Sequence, residues 1–190
     1  MEGERKKSDW ILSKSKERRS LNFVKTLLEL SGYRVMNFGI ENHNREIVKL
    51  LKANYATEMN RRLLSMPDFV VLDEETGETW LIEVKHRSFR NGFDMKKSNI
   101  TLNCGMMKDY LDFWRGATLV LTFNVKPYCL CVDFDRVNWS VHFKSRCTGK
   151  DGKPVEAWNF SGIYQIINDK FPKVTSENFK KALDMSGIGK

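Results

Sequence analysis

The sequence predicts an α/β domain in which helices flank a mixed central sheet. Apolar residues recur at helical spacing near the start of the chain, at Leu21, Val24, Leu27 and Leu28. Two short apolar runs on either side of a turn at Gly77 predict a β-hairpin. Residues 117–123 are almost wholly apolar, which is typical of a central strand that is covered on both faces. The chain of 190 residues is long enough for one domain with a proper core.

The first part of the chain predicts a helix, a strand and a second helix. The first helix covers about residues 17–30 and stops at Gly32, because glycine commonly follows the last helical turn. Residues 33–38 then form a short strand. Apolar residues between positions 47 and 51 indicate a second helix in the connection to the hairpin.

The middle of the chain predicts the hairpin, another helix and two further strands. The hairpin strands occupy residues 69–72 and 80–85, and a polar stretch follows at residues 86–105. A helix is expected near residues 106–114, followed by strands at residues 117–123 and 128–134. The resulting order is helix, strand, hairpin, helix, strand.

The chain divides into three regions. Residues 1–16 are expected to form a basic flexible arm, residues 17–147 the core domain, and residues 148–190 a C-terminal extension. The extension begins with a turn-rich linker, continues with an aromatic segment, and ends in a helix at residues 177–185 that Ser176 can cap. We expect the extension to pack on the core and cover the sheet, with a substrate clamp or a dimer contact as alternatives.

Composition favours a partner that carries negative charge. The formal net charge is +8 and the sequence pI is about 9.3, as expected for a protein that binds a phosphate backbone. No apolar stretch is long enough to span a bilayer, and the charged N-terminus lacks the apolar region of a signal peptide. We therefore expect no membrane partner and a cytoplasmic location, or a nuclear one if the source is eukaryotic or viral.

Charged residues interrupt the apolar hairpin strands at two places. Asp68 follows Pro67 at the start of the first strand, and Glu83 and Lys85 lie on one face of the second because strand side chains alternate. Buried charges are costly unless they are paired or bind a metal. Two converging carboxylates make an all-oxygen site that suits Mg²⁺ or Mn²⁺. Lys85, kept protonated by the acids, can then orient the attacking water and stabilise developing negative charge.

This pattern resembles the PD-(D/E)xK nuclease superfamily, and Holliday-junction resolvases within it. The resemblance implies a restriction-endonuclease-like core of order α-β-β-β-α-β, an endonuclease activity that hydrolyses phosphodiester bonds, and Mg²⁺ or Mn²⁺ as the cofactor. It makes Asp68 and Glu83 the metal ligands, the Val84 backbone carbonyl an additional ligand, and Lys85 the catalytic lysine. Members often add an acid from the first helix or the segment after it. Four candidates are Glu17, Glu29, Glu41 and Glu46, of which Glu41 is favoured because it follows the first strand.

Basic residues surround the motif and are expected to line a phosphate groove. They are Arg61, Arg62, Arg87, Arg90, Lys96, Lys97 and Lys108. Phe89 and Phe93, in the same polar stretch, offer rings on which unpaired bases can stack. We expect DNA rather than RNA as the substrate, and a homodimer if the substrate is a duplex.

Other interpretations of these residues remain open. The domain can be a nuclease fold that binds nucleic acid without cutting it, or an enzyme that acts on small phosphate esters. Glu83 and Lys85 can also be an exposed ion pair of little energetic value. Cys129 and Cys131 share one strand face near His142 and Cys147, but this spacing matches no familiar zinc site, so packing in the core is the expectation.

Overall fold

A computed structural model describes residues 2–40, 45–90, 92–149 and 152–188. The helices are α1 (Glu2–Leu30), α2 (Arg45–Ala53), α3 (Glu58–Leu64), α4 (Met106–Phe113), α5 (Trp139–His142), α6 (Ile167–Lys170) and α7 (Ser176–Ser186). The strands are β1 (Arg34–Asn37), β2 (Phe69–Leu72), β3 (Thr79–Arg87), β4 (Ile100–Asn103), β5 (Thr118–Phe123), β6 (Cys129–Asp133), β7 (Phe143–Thr148) and β8 (Pro154–Trp158).

The central sheet has five strands in the order β1-β2-β3-β5-β6. Its neighbouring strands are antiparallel except for β3 and β5, which run parallel, so the sheet is mixed as predicted. Every residue of β5 is buried, in agreement with its apolar sequence and its place inside the sheet. Helices cover both faces, and the predicted α/β class is confirmed.

Two apolar clusters fill the space on the two faces of this sheet. On one face, α1 and α7 pack against β2 and β3, and the rings of Phe23 and Phe179 meet edge to face at 5.5 Å. On the other face, α4 contributes Met107 and Tyr110 to a cluster that contains Leu119, Leu121 and the fully buried Trp158. Alternation along β3 therefore sends Ile82 and Val84 to the first cluster and leaves Glu83 and Lys85 on the side of α4.

A second sheet, of order β4-β8-β7, was not predicted. Its strand β4 lies inside the stretch that we expected to be an irregular polar connection, and it pairs with β8 more than fifty residues later. Strand β7 has hardly any buried residue, so it lacks the alternation that would indicate a strand. Pairing between distant segments supplies these strands, and local patterns do not report it.

The first and last helices also differ in extent from the predictions. Helix α1 begins at Glu2 rather than near Glu17, so the segment expected to be an arm is the N-terminal half of this helix. Lysine, arginine and glutamate are good helix formers and allow the helix to continue through this charged segment. In α7 the N-cap is Thr175, one residue before the predicted Ser176, and its hydroxyl accepts a hydrogen bond from Asn178 N at 3.1 Å.

The C-terminal extension is tied to the core by packing and by several ion pairs. Lys170 Nζ lies 2.7 Å from Asp133 Oδ1, and Lys173 Nζ lies 2.8 Å from Asp73 Oδ1. Asp133 also accepts hydrogen bonds from Thr118 and Gln165. Within the described residues, no helix is long and apolar enough to cross a membrane.

Candidate functional site

Asp68 is held at the entrance to β2 by the two chain segments beside it. Its side chain is buried, and Oδ2 accepts a hydrogen bond from Val84 N at 2.8 Å. Its backbone carbonyl accepts a hydrogen bond from Phe38 N at 2.8 Å, just beyond β1. The hairpin register pairs Phe69 with Ile82, and continuing it by one residue sets Asp68 across from Glu83. The structure thus brings together the two acids that the sequence singled out.

Glu83 is buried and receives two hydrogen bonds on the same oxygen. Both Lys85 Nζ and the Tyr110 hydroxyl donate to Glu83 Oε1. Burial acts to lower the pKa of Lys85, but the carboxylates of Glu83 and Asp68 outweigh it and hold that pKa above its ordinary value. The lysine is therefore an ammonium ion within a cluster of two acids, as its position in the sequence implied.

Tyr110 is a site residue to which the sequence analysis gave no role. It lies on α4, is almost fully buried, and stacks on Phe134 with ring centroids 4.9 Å apart. The sequence analysis instead chose Lys108 from the same helix as a groove residue. Lys108, two positions before Tyr110, lies on a different side of α4. It is exposed, and its Nζ pairs with Asp112 Oδ2 at 2.6 Å. The rotation of α4 about its axis turns Tyr110 towards the site and Lys108 away from it. In the sequence, the apolar neighbours Met107 and Leu111 were the only indication of which side of the helix is buried.

Arg87 lies on the same face of β3 as Glu83 and Lys85. Its Nε donates to the Thr101 carbonyl at 2.7 Å, and Nη1 donates to the His86 carbonyl. Burial lowers the pKa of Arg87 to about 10, while the nearby Tyr110 acts in the opposite direction. The Arg87 charge in turn acts to lower the pKa of Lys85, so the two cations are close enough to interact. Arg87 is thus part of the site.

The other predicted groove residues lie in two places. Arg61 is occupied by Asp109, a buried acid of α4: its Nε lies 2.8 Å from Asp109 Oδ1 and its Nη2 donates to the same oxygen. Arg62, next to it on α3, is exposed and lies 5.8 Å from the centre of the Trp114 ring. Arg90, Lys96 and Lys97 are exposed on the connection between β3 and β4. We now assign Arg61 to the attachment of α3, and the exposed residues remain available to a substrate.

Phe89 and Phe93, expected to be available for base stacking, are occupied by packing within the protein. Phe93 stacks on Phe123 with ring centroids 4.4 Å apart, and Phe89 contacts both rings edge to face. Phe93 also meets Tyr164 edge to face at 5.9 Å. These rings anchor the connection after β3 to the second apolar cluster.

No third acid joins the pair within the described part of the chain. Glu17 pairs with Lys14 at 2.7 Å and Glu29 lies 3.9 Å from Lys25, both on α1. Glu46 is exposed on α2. Glu41, the favoured candidate, lies outside the described residues.

The carboxylates of Asp68 and Glu83 are the side chains of the site that could bind a divalent cation. No group of three or more His, Cys, Asp or Glu side chains is arranged to bind a metal in residues 2–40, 45–90, 92–149 and 152–188. Asp68 and Glu83 nevertheless offer the carboxylate oxygens that Mg²⁺ and Mn²⁺ prefer, and such ions keep several waters and take phosphate oxygens as ligands. The cysteines of β6 are buried in the core, where burial raises the pKa of Cys129 to about 12, and among the described residues they belong to no group that could hold a metal.

Three comparisons with known proteins were made. No protein-family model, no curated protein and no solved structure matches this chain. The functional argument therefore depends on the residues and the geometry described above.

Proposed function

We propose that this protein is a metal-dependent nuclease of the PD-(D/E)xK type with a restriction-endonuclease-like core. The observation that carries the proposal is the placement of Asp68 across the hairpin from Glu83, with Lys85 hydrogen-bonded to Glu83 on the same strand face. Both carboxylates are buried, and the Lys85 ammonium interacts with each of them. Carboxylate oxygens are the ligands that Mg²⁺ and Mn²⁺ prefer, so this donor set is consistent with a divalent cation.

The two oxygens of Glu83 suit different tasks. Lys85 and Tyr110 donate to Oε1, and no donor to Oε2 is found in the described part of the chain. Oε2 would be the metal-binding oxygen, together with the carboxylate of Asp68 and, by resemblance, the Val84 carbonyl. Tyr110 fixes the orientation of Glu83, and the Val84 amide does the same for Asp68.

A bound Mg²⁺ or Mn²⁺ would polarise the scissile phosphoryl group and neutralise charge on the leaving oxygen. Lys85 remains protonated beside the acids, so it acts as a hydrogen-bond donor that orients water and stabilises negative charge on the phosphate oxygens. The buried position of the acids limits the water that competes with these interactions.

Nucleic acid is the proposed substrate, with DNA preferred to RNA. The net charge of +8 favours a polyanion, and exposed basic residues follow the catalytic strand directly: Arg90, Lys96 and Lys97. A homodimer would bring two such sites to opposite strands of a duplex.

A nucleic-acid-binding module without catalysis is the second candidate. It is favoured by one observation: the described residues provide only two acids, and one of them is already hydrogen-bonded to Lys85 and Tyr110. In that case the cluster holds the hairpin against α4, and the basic residues alone contact the nucleic acid.

The deciding experiment is a cleavage assay on labelled single-stranded, duplex and branched DNA and on RNA, with Mg²⁺, Mn²⁺ or EDTA. Lys85→Ala and Asp68→Asn are expected to lower the rate at least about 100-fold, as is typical when an electrostatic group acting in the transition state is removed. The matched controls are Lys181→Ala and Asp184→Asn on α7, which change the same residue types on the opposite side of the sheet. Cleavage that survives in both site variants would contradict the proposal. Metal-independent binding without any cleavage would support the second candidate.

A further inference from the structure

Arg87 is a partly buried cation of the site for which the described residues provide no carboxylate partner. Two of the five N–H donors of a guanidinium are used here, by the carbonyls of Thr101 and His86. No ion pair of Arg87 is found within the described ranges. Removing a guanidinium from water without an anion is unfavourable, so this position is stabilised whenever an anion arrives.

The two backbone hydrogen bonds also fix the orientation of the group. Both accepting carbonyls belong to strands, one in β3 and one in β4, so the guanidinium plane is held by regular structure. A planar, fixed fork of N–H donors matches the oxygens of a phosphate better than the mobile ammonium of a surface lysine does. Arg87 is therefore a prearranged phosphate donor, unlike the exposed Arg90, Lys96 and Lys97.

The position of Arg87 along β3 indicates which phosphate it meets. Residues two apart on a strand share a face, and their Cα atoms are about 6.6 Å apart. Lys85 acts beside Asp68 and Glu83, where the scissile phosphate would lie, so Arg87 faces a different phosphate on the same strand of the substrate.

We infer that Arg87 binds a phosphate neighbouring the scissile one, and that the substrate is therefore a polynucleotide rather than a nucleotide or a small phosphodiester. This inference rests on the proposed nuclease function and adds to it a contact with a phosphate other than the scissile one. Arg87 determines specificity by requiring a negative charge next to the bond that is cut.

The test compares Arg87→Met and Arg87→Lys with the control Arg136→Met, which removes the same charge from an exposed position outside the site and the basic groove. The substrates are an oligonucleotide with a mapped cut site, a series of the same oligonucleotide with one neutral methylphosphonate at each nearby linkage, and bis(p-nitrophenyl) phosphate. Arg87→Met is expected to cut the oligonucleotide at least about tenfold more slowly, the loss of one charge-assisted hydrogen bond. Its rate on the small ester and the rates of Arg136→Met are expected to stay within about threefold of wild type.

The methylphosphonate series separates phosphate binding from a structural role. One neutral linkage should slow the wild type at least about tenfold and leave Arg87→Met unaffected, because the variant has already lost that contact. If both proteins respond alike to every neutral linkage, or if Arg87→Met slows the small ester equally, the inference is overturned.

Failure of the nuclease proposal would be distinguishable. If the wild type cuts neither substrate, that proposal fails, and binding of the oligonucleotide in EDTA then tests Arg87 alone. The slope of log Kd against the logarithm of the salt concentration reports the number of ions released on binding. A slope that is smaller by about one ion for Arg87→Met would support the phosphate contact. An unchanged dependence would overturn it.

Discussion

Replacement of Arg61 by methionine is expected to destabilise the protein without removing a nucleic-acid contact. Asp109, its partner, is 3% exposed, and Arg61 reaches it with two nitrogen atoms. The methionine side chain preserves much of the apolar stem, which lies 5.4 Å from the centre of the Phe113 ring. The variant therefore removes mainly the charge and leaves Asp109 with the Tyr55 hydroxyl as its remaining donor.

The size of the effect follows from the burial of the two partners. Removing one member of a buried ion pair costs about 3–5 kcal/mol because the other charge is left uncompensated. The Arg61 side chain keeps 25% of its surface exposed and Tyr55 still donates to Asp109, so the lower end applies, about 3 kcal/mol. For a chain of this size, about 2–4 °C is lost per kcal/mol, which gives a fall in Tm of about 6–12 °C.

Thermal unfolding followed by circular dichroism measures this loss. Arg62→Met is the matched control, since this neighbour is exposed and its guanidinium lies over the Trp114 ring, and its cost should stay below about 1 kcal/mol. The double variant Arg61→Met/Asp109→Asn should recover most of the stability, because the stranded charge is also gone. A Tm of Arg61→Met equal to that of wild type, together with weaker DNA binding, would refute the structural role and restore Arg61 to the groove.

Three further predictions concern acid stability, metal binding and thiol reactivity. The Lys173 ammonium holds the pKa of Asp73 below its ordinary value of 3.8, so the folded state binds fewer protons there. The contribution of this pair is complete above about pH 5 and is lost as the pH falls, so Lys173→Met should lower Tm at pH 7 and hardly at pH 2; an equal loss at both would contradict it. At ten times its Kd, Mn²⁺ should stabilise the wild type by about 1.4 kcal/mol and Asp68→Asn much less, and equal shifts in Tm would argue against the site. Iodoacetamide should modify two of the four cysteines in the native protein and all four after unfolding, because the two on β6 are buried; rapid modification of all four before unfolding would show that β6 is accessible.

The sequence predicted those parts of the fold that depend on local patterns. The hairpin of β2 and β3 and the apolar strand β5 carry their own periodicity, and the predicted strands overlap the observed ones. The second sheet escaped prediction because β4 pairs with β8, more than fifty residues later, and β7 lacks an alternating pattern of burial. Helix α3 was also missed, since it has seven residues and none of them is buried.

The sequence predicted the part of the site that follows from side-chain alternation along strands. Hairpin pairing and a side-chain period of two were sufficient to bring Asp68, Glu83 and Lys85 together. Arg61 and Phe93 show the limit: their chemistry is visible in the sequence, but their partners Asp109 and Phe123 are 48 and 30 residues away. A basic or aromatic residue next to a motif can be a ligand contact or a packing contact, and only the tertiary partner distinguishes the two.

The hydrogen bonds of Glu83 explain why stability measurements alone will not separate the two proposed functions. Tyr110 on α4 donates to Oε1 and links α4 to β3, and Lys85 donates to the same oxygen from β3 itself. Both bonds form whether or not a metal binds, so loss of either donor destabilises a nuclease and a binding module alike. The proposals differ at Oε2 of Glu83 and at the charge of Asp68. A nuclease requires both to bind a cation, whereas a binding module does not require either of them for that purpose. Replacing Asp68 by asparagine should therefore weaken the response to Mn²⁺ in a nuclease, and in a binding module should leave that response unchanged.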